Sequence, residues 1–158
     1  MPSLRALAGR IRQELLALAR VAERAEGALG AASTSHDDRY IDAVALNLHA
    51  YYSGLERLFE RIARDVDDTM PEGPNWHVDL LGQVAAKITG VRPAVITSDL
   101  HARLDRLRGF RHVVRNAYSY NLDAQQIAVL VDELRGTAPD AASQLTAFAD
   151  WLDAAAGE

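Results

Sequence analysis

The chain contains no cysteine, which excludes a disulfide framework and any thiolate metal site. Nothing near Met1 has the apolar core of a secretory signal, and no segment approaches the roughly 18 uninterrupted apolar residues of a membrane span. These absences lead to the expectation of a cytoplasmic protein with no membrane contact. The five histidines include no H-x-x-x-H pair with a carboxylate in reach, so no metal site is expected. A glycine-rich phosphate loop and a G-x-S-x-G elbow are also missing, and no cofactor is expected. Positive charge is in short supply: the formal net charge is −5, so any contact with nucleic acid has to come from a local basic patch.

Against those absences stands the composition of a packed globular protein. Of 158 residues, 49% are hydrophobic and 25% charged, too few residues for two ordinary domains and enough for one real core. Residues 1–158 are therefore read as a single domain.

Apolar residues recur at helical spacing. Leu4, Ala8, Ile11, Leu15, Leu18, Ala22, Ala25 and Leu29 make one stripe, and a first helix is expected to end near Gly30. The run AASTSHDD reads as a loop with Ser35 or Asp37 as the next cap. A second helix follows with Ile41, Val44, Leu48, Tyr51, Leu55, Leu58, Ile62 and Val66 on its apolar face. The prolines and glycine of DDTMPEGPN force a turn before a shorter helix in WHVDLLGQVAAKI. Ser98 is the expected cap of a fourth helix reaching about Tyr118, and Asp123 of a fifth, with Gln126 reaching back and Leu122 and Ile127 as a staple. A last helix is expected over about Asp140 to Ala155, with Leu145, Phe148 and Leu152 in the core. No alternating strand pattern competes, so the expected fold is all-α, an antiparallel helical bundle.

The basic patch lies in the fourth helix. Arginines stand at 103, 106, 108, 111 and 115, with His101 and His112 nearby and Asp105 as the counter-charge within that stretch. At about 100° per residue, Arg108, Arg111, His112, Arg115, Asn116, Tyr118 and Ser119 share an arc of roughly 160°, opposite Phe110, Val113, Val114 and Ala117. Such a face has two readings: a solvated surface paired with carboxylates of neighbouring helices, or an anion-binding surface.

The strings LHAYYSGLERLFERIA, GPNWHVDLL and FRHVVRNAYSYNLD, in that order over about residues 45 to 135, resemble the HepT-like branch of the HEPN superfamily. That family carries an arginine, four to six residues, a histidine, one residue and a tyrosine on a helix of an α-helical bundle. The arginine position falls on Arg111 and the tyrosine on Tyr118, whereas the histidine position is occupied by Asn116. The resemblance implies a homodimeric HEPN-like bundle acting as the endoribonuclease toxin of a type II toxin–antitoxin pair. It implies metal-independent cleavage, in which the RNA 2′-hydroxyl attacks the adjacent phosphate. It also implies an antitoxin of the minimal nucleotidyltransferase type that attaches AMP to Tyr118, adding bulk and negative charge beside Arg111.

The departure at Asn116 bears directly on that chemistry. Arg111 suits a bidentate grip on a phosphate as charge develops, and Arg108, His112 and Arg115 are candidate RNA contacts. An imidazole transfers a proton at neutral pH, whereas an asparagine side chain has no titratable proton and only positions a partner by hydrogen bonds. Three explanations stand side by side: an engineered His→Asn change that disables a toxin, a natural protein that has lost catalysis and kept binding, and a shifted motif in which Arg106 and His112 serve. The partners expected are RNA, whether tRNA or mRNA, the nucleotidyltransferase and a second copy of the chain. The alternative is a non-catalytic HEPN partner of a nucleotidyltransferase, and a third reading is a bundle with no RNA contact. Tyr118 also has the bland reading of a ring packed at a helix interface. Outside the motif, Trp76 is expected to anchor a core or interface, His77 to make a structural hydrogen bond, and Glu56, on the polar side of the second helix, to pair with an arginine of the patch.

Overall fold

A computed structural model describes residues 3–116 and 122–157, with residues 111–116 described by their backbone alone. Among the described residues there are five helices and no strand: α1 (Leu4–Ser35), α2 (Arg39–Asp65), α3 (Trp76–Ala85), α4 (Ser98–Asn116) and α5 (Ala124–Ala155). The all-α bundle expected from periodicity is the fold observed.

Helix α2 is the centre. It packs against all four of the others, while α1 also lies along α5, and α4 touches α3 and α5. The expected stripe of Val44, Leu48, Tyr51, Leu55, Leu58 and Ile62 is buried, and so is a second one comprising Ala45, Tyr52, Phe59 and Ala63. A helix with neighbours on every side has to be apolar on more than one face. Where α1 crosses α2 the backbones come close: a Cβ placed on Gly54 would lie 2.5 Å from Leu18 Cδ2. Gly54→Val is therefore expected to force the crossing apart and cost about 1–3 kcal/mol, measurable by urea unfolding.

Three boundaries differ from the expectation, each for a local reason. Helix α1 runs past Gly30 to Ser35 because Ser33, Thr34 and Ser35 turn their hydroxyls back onto the carbonyls of Leu29, Gly30 and Ala31 instead of breaking the helix. It stops at His36, which takes the left-handed conformation at φ 55° and donates its N–H to the Ala32 carbonyl. Helix α4 is capped by Thr97 and not Ser98: Thr97 Oγ1 accepts the N–H of Leu100 at 3.2 Å. The expected fifth and last helices are one helix of 32 residues that passes through Pro139. Proline removes one helical hydrogen bond. The helix continues because Leu134, Ala141 and Leu145 are buried on both sides of it; in the same turn Arg103 donates to the Gly136 carbonyl at 3.3 Å.

Asp123 caps α5 as expected, its Oδ1 accepting the N–H groups of Gln125 and Gln126 at 3.0 and 3.4 Å. Asp123→Ala is expected to cost about 1 kcal/mol, read as a lowered denaturation midpoint with an unchanged slope.

The segment between α3 and α4 is held by a buried ion pair. Arg92 Nε lies 2.5 Å from Asp67 Oδ1, and the two side chains are 0% and 1% exposed. Arg92 Nη2 adds a 2.8 Å bond to Asp67 Oδ2, and Gln83 Nε2 donates to the same oxygen at 2.7 Å. The rest of the guanidinium serves the carbonyls of Ala86, Pro93 and Gln83. This knot ties the end of α2 to the end of α3 and to the start of the chain leading into α4.

Candidate functional site

Helix α4 enters the bundle at a fixed point. The N–H of Val95 donates to the Val84 carbonyl at 2.9 Å, Thr97 N donates to Gln144 Oε1, and Arg92 is tied to Asp67. From there Leu100, Leu104, Leu107 and Phe110 form its buried face, packed on α2 and α3. The other face carries the arginines.

Among the described side chains, Arg103, Arg106 and Arg108 have carboxylate partners. Arg103 donates to Asp140 at 2.6 Å and to Asp99 at 2.9 Å. The Asp140 hydrogen bond holds its pKa above the ordinary value, partial burial opposes this, and Asp99 adds to the rise. Arg106 Nε meets Glu133 Oε1 at 2.8 Å, and Arg108 Nε meets Asp105 Oδ1 at 2.8 Å. The reading of the face as ion-paired surface describes these residues, and Asp99, Glu133 and Asp140 supply counter-charge that the arginine stretch itself lacks. Arg108, named above as an RNA contact, keeps 26% of its side chain exposed.

Arg111, His112, Arg115 and Asn116 lie on the described backbone of α4, with their side chains outside the described residues, and Tyr118 lies outside them altogether. The tip of the expected motif is therefore placed by helix register alone.

Glu56 does not lie on the polar side of α2 as expected. Glu56 is 3% exposed and sits in the second buried stripe, between Tyr52 and Phe59. Its Oε2 lies 2.7 Å from His77 Nδ1. His77, at the start of α3, keeps 25% of its side chain open, and its ring lies against Trp76 with centroids 3.5 Å apart. Trp76 is half-buried against the core, as an anchor should be, and His77 makes the hydrogen bond expected of it. His49, Tyr52, Glu56 and His77 each have at least one further interaction. A carboxylate in an otherwise apolar stripe was the signal in the sequence for this pair, since a buried carboxylate needs a partner.

The family comparison matches residues 43–152 to the HepT-like proteins. The chain belongs to the HepT-like family. HepT-like proteins fall within the HEPN superfamily, so the resemblance read from three ordered strings holds, and the matched span takes in α3 and α4 entire with nearly all of α2 and most of α5. No curated protein and no solved structure matches the chain. Helix α1 precedes the span, although it supplies Leu7, Ile11 and Leu18 to the core.

A cavity of about 240 Å³ opens between α1 and α5, with Tyr51 among its lining residues and no residue of α4. Burial raises the Tyr51 phenol well above its ordinary pKa, so it stays protonated. A groove of about 270 Å³ lies between α4 and α5, lined by Arg106, Phe110, Gln126, Val129 and Glu133 among others. Among the described residues no group of histidines and carboxylates is placed to hold a metal ion, and no helix is long and apolar enough to cross a membrane.

Proposed function

We propose that this HepT-like protein is the endoribonuclease toxin of a toxin–antitoxin pair, with Arg111 gripping the scissile phosphate and its activity reduced by Asn116 at the histidine position. The observation that carries this reading is the family match, a span within which the Arg111, Asn116 and Tyr118 positions keep the sequence spacing of the HEPN motif. Arg108, His112 and Arg115 flank Arg111 on the same helix and extend the cationic surface along an RNA backbone. The working unit is a homodimer in which two such surfaces line one cleft. That doubling concentrates the arginines locally in a chain whose net charge is −5. The antitoxin is a minimal nucleotidyltransferase that adds AMP to Tyr118 and places a phosphate where the RNA phosphate would bind.

The test is cleavage of total cellular RNA, in excess chelator, by the purified Asn116→His chain. Fragments ending in a 2′,3′-cyclic phosphate and beginning with a free 5′-hydroxyl are expected, and Arg111→Ala in the same background abolishes them. Absence of cleavage by the Asn116→His chain overturns the ribonuclease reading.

Asn116 itself favours one other reading, a non-catalytic HEPN protein that serves as the partner of a nucleotidyltransferase. It predicts stable co-purification with that enzyme and no cleavage by either version of the chain.

A further inference from the structure

We propose that the cavity between α1 and α5 binds a small organic ammonium ion with an aromatic body. Glu23, Glu26 and the Arg135 carbonyl hold the ammonium, and Tyr51 meets the far end of the ring. The site is lined by no residue of α4, and the proposal does not depend on the ribonuclease reading.

Four observations carry it. The first is size and lining. The space of about 240 Å³ has walls that include Leu15, Leu18, Ala22, Leu134 and Ala138. A dry apolar cavity of about 150 Å³ takes a benzene ring, so this one has room for a ring with a short chain. The second is Tyr51, which is 3% exposed and lines the same space. Burial alone raises its phenol, with no hydrogen bond contributing. A buried hydroxyl without a partner costs free energy, and a ligand atom that bonds to it removes that cost.

The third observation is Pro139 within α5. In an unbroken helix the N–H of residue 139 would serve the Arg135 carbonyl, and proline has no N–H to give. Arg135 and Pro139 both line the cavity, so a backbone acceptor short of its helical donor stands on the wall. The fourth is charge. Glu23 and Glu26 also line the cavity, three residues apart and therefore on one face of α1. Among the described lining residues the one cation is Arg135, which is shared between Glu26 and Asp132 at 3.2 Å each. The mouth is therefore acidic.

Two carboxylates and a carbonyl ask for a donor, and an ammonium offers three N–H groups and a positive charge. An anion of the same shape would meet Glu23 and Glu26. With its ring among the leucines and its polar ends at the mouth and at Tyr51, the ligand bridges α1, α2 and α5 and stabilises the fold by binding it.

The test is calorimetric titration of the full chain with phenethylamine and tyramine, which are ammonium ions at neutral pH, and with 3-phenylpropanoate as the anion of similar shape. One equivalent of each amine is expected to bind, with a Kd on the order of 0.1 mM for phenethylamine, and the anion is expected not to bind. Tyramine, whose ring hydroxyl reaches Tyr51, binds about tenfold tighter than phenethylamine. Tyr51→Phe keeps the parental Tm and removes that difference. Glu23→Gln combined with Glu26→Gln weakens both amines about tenfold. Ala22→Leu fills the cavity from its wall, folds, and binds neither amine. The proposal is overturned if neither amine binds saturably to the folded parent chain, or if the anion binds as tightly as phenethylamine. Undiminished binding in a folded Ala22→Leu variant overturns it as well, because the amines then sit elsewhere. A lowered Tm in Tyr51→Phe does the same, since it means that the protein already holds the hydroxyl.

Discussion

Asn116→His is expected to raise the rate of RNA cleavage by about 10²- to 10⁴-fold, the contribution of one well-placed general acid or base. The change is nearly isosteric and lies in the last turn of α4, so it alters proton chemistry with little demand on packing. An amide cannot accept a proton at neutral pH, whereas an imidazole two residues before Tyr118 occupies the family's histidine position. The comparison is made at equal protein concentration, with initial rates measured from fragment ends. A rate unchanged by Asn116→His in a chain that does cleave RNA would place the proton chemistry elsewhere.

The second large effect is on stability. Asp67→Ala strands Arg92, a guanidinium whose side chain is fully buried, and is expected to cost about 3–5 kcal/mol, as breaking a buried ion pair from one side does. For a chain of this size that lowers Tm by roughly 10 °C. Buried pairs can often be exchanged for apolar residues at little cost, and here the expectation is the opposite. Arg92 also donates to the carbonyls of Ala86, Pro93 and Gln83, and of these Gln83 also accepts the Ala86 N–H, so Asp67→Leu with Arg92→Met leaves the Ala86 and Pro93 carbonyls without their donor. The double variant should remain at least as unstable as Asp67→Ala in urea unfolding; recovery to parental stability would mean that those carbonyls find water.

Periodicity was sufficient to read the helical class and most of the core, because Val44, Leu48, Leu55 and Ile62 recur at a spacing that only a helix brings to one face. It was insufficient where tertiary contacts decide. Pro139 reads as a break in any local account, and α5 passes through it because apolar burial on both sides outweighs one missing hydrogen bond. Helix α2 looked one-sided because its second stripe contains Glu56, which a polarity pattern assigns to solvent; only its partner on α3 explains its burial. Likewise, Arg103 and Arg106 look like free positive charge in sequence, since Asp140 and Glu133 lie 37 and 27 residues away along the chain. The helix that carries Arg111 and Asn116 was legible by spacing, as a helix register is a local property.

The pairing of α1 with α5 places the earliest and the latest helices side by side. At synthesis rates of about 5–20 residues per second, roughly 90 residues separate the end of α1 from the start of α5, a delay on the order of 5–20 s. During that interval α1 can rest on α2, but its other apolar flank has nothing to cover it. The nascent chain thus presents an unfinished surface to chaperones until α5 has cleared the ribosome, and the arginine helix α4, which also leans on α5, has its final setting only after that. For a chain proposed to cut RNA, maturation of the site is tied to the synthesis of α5.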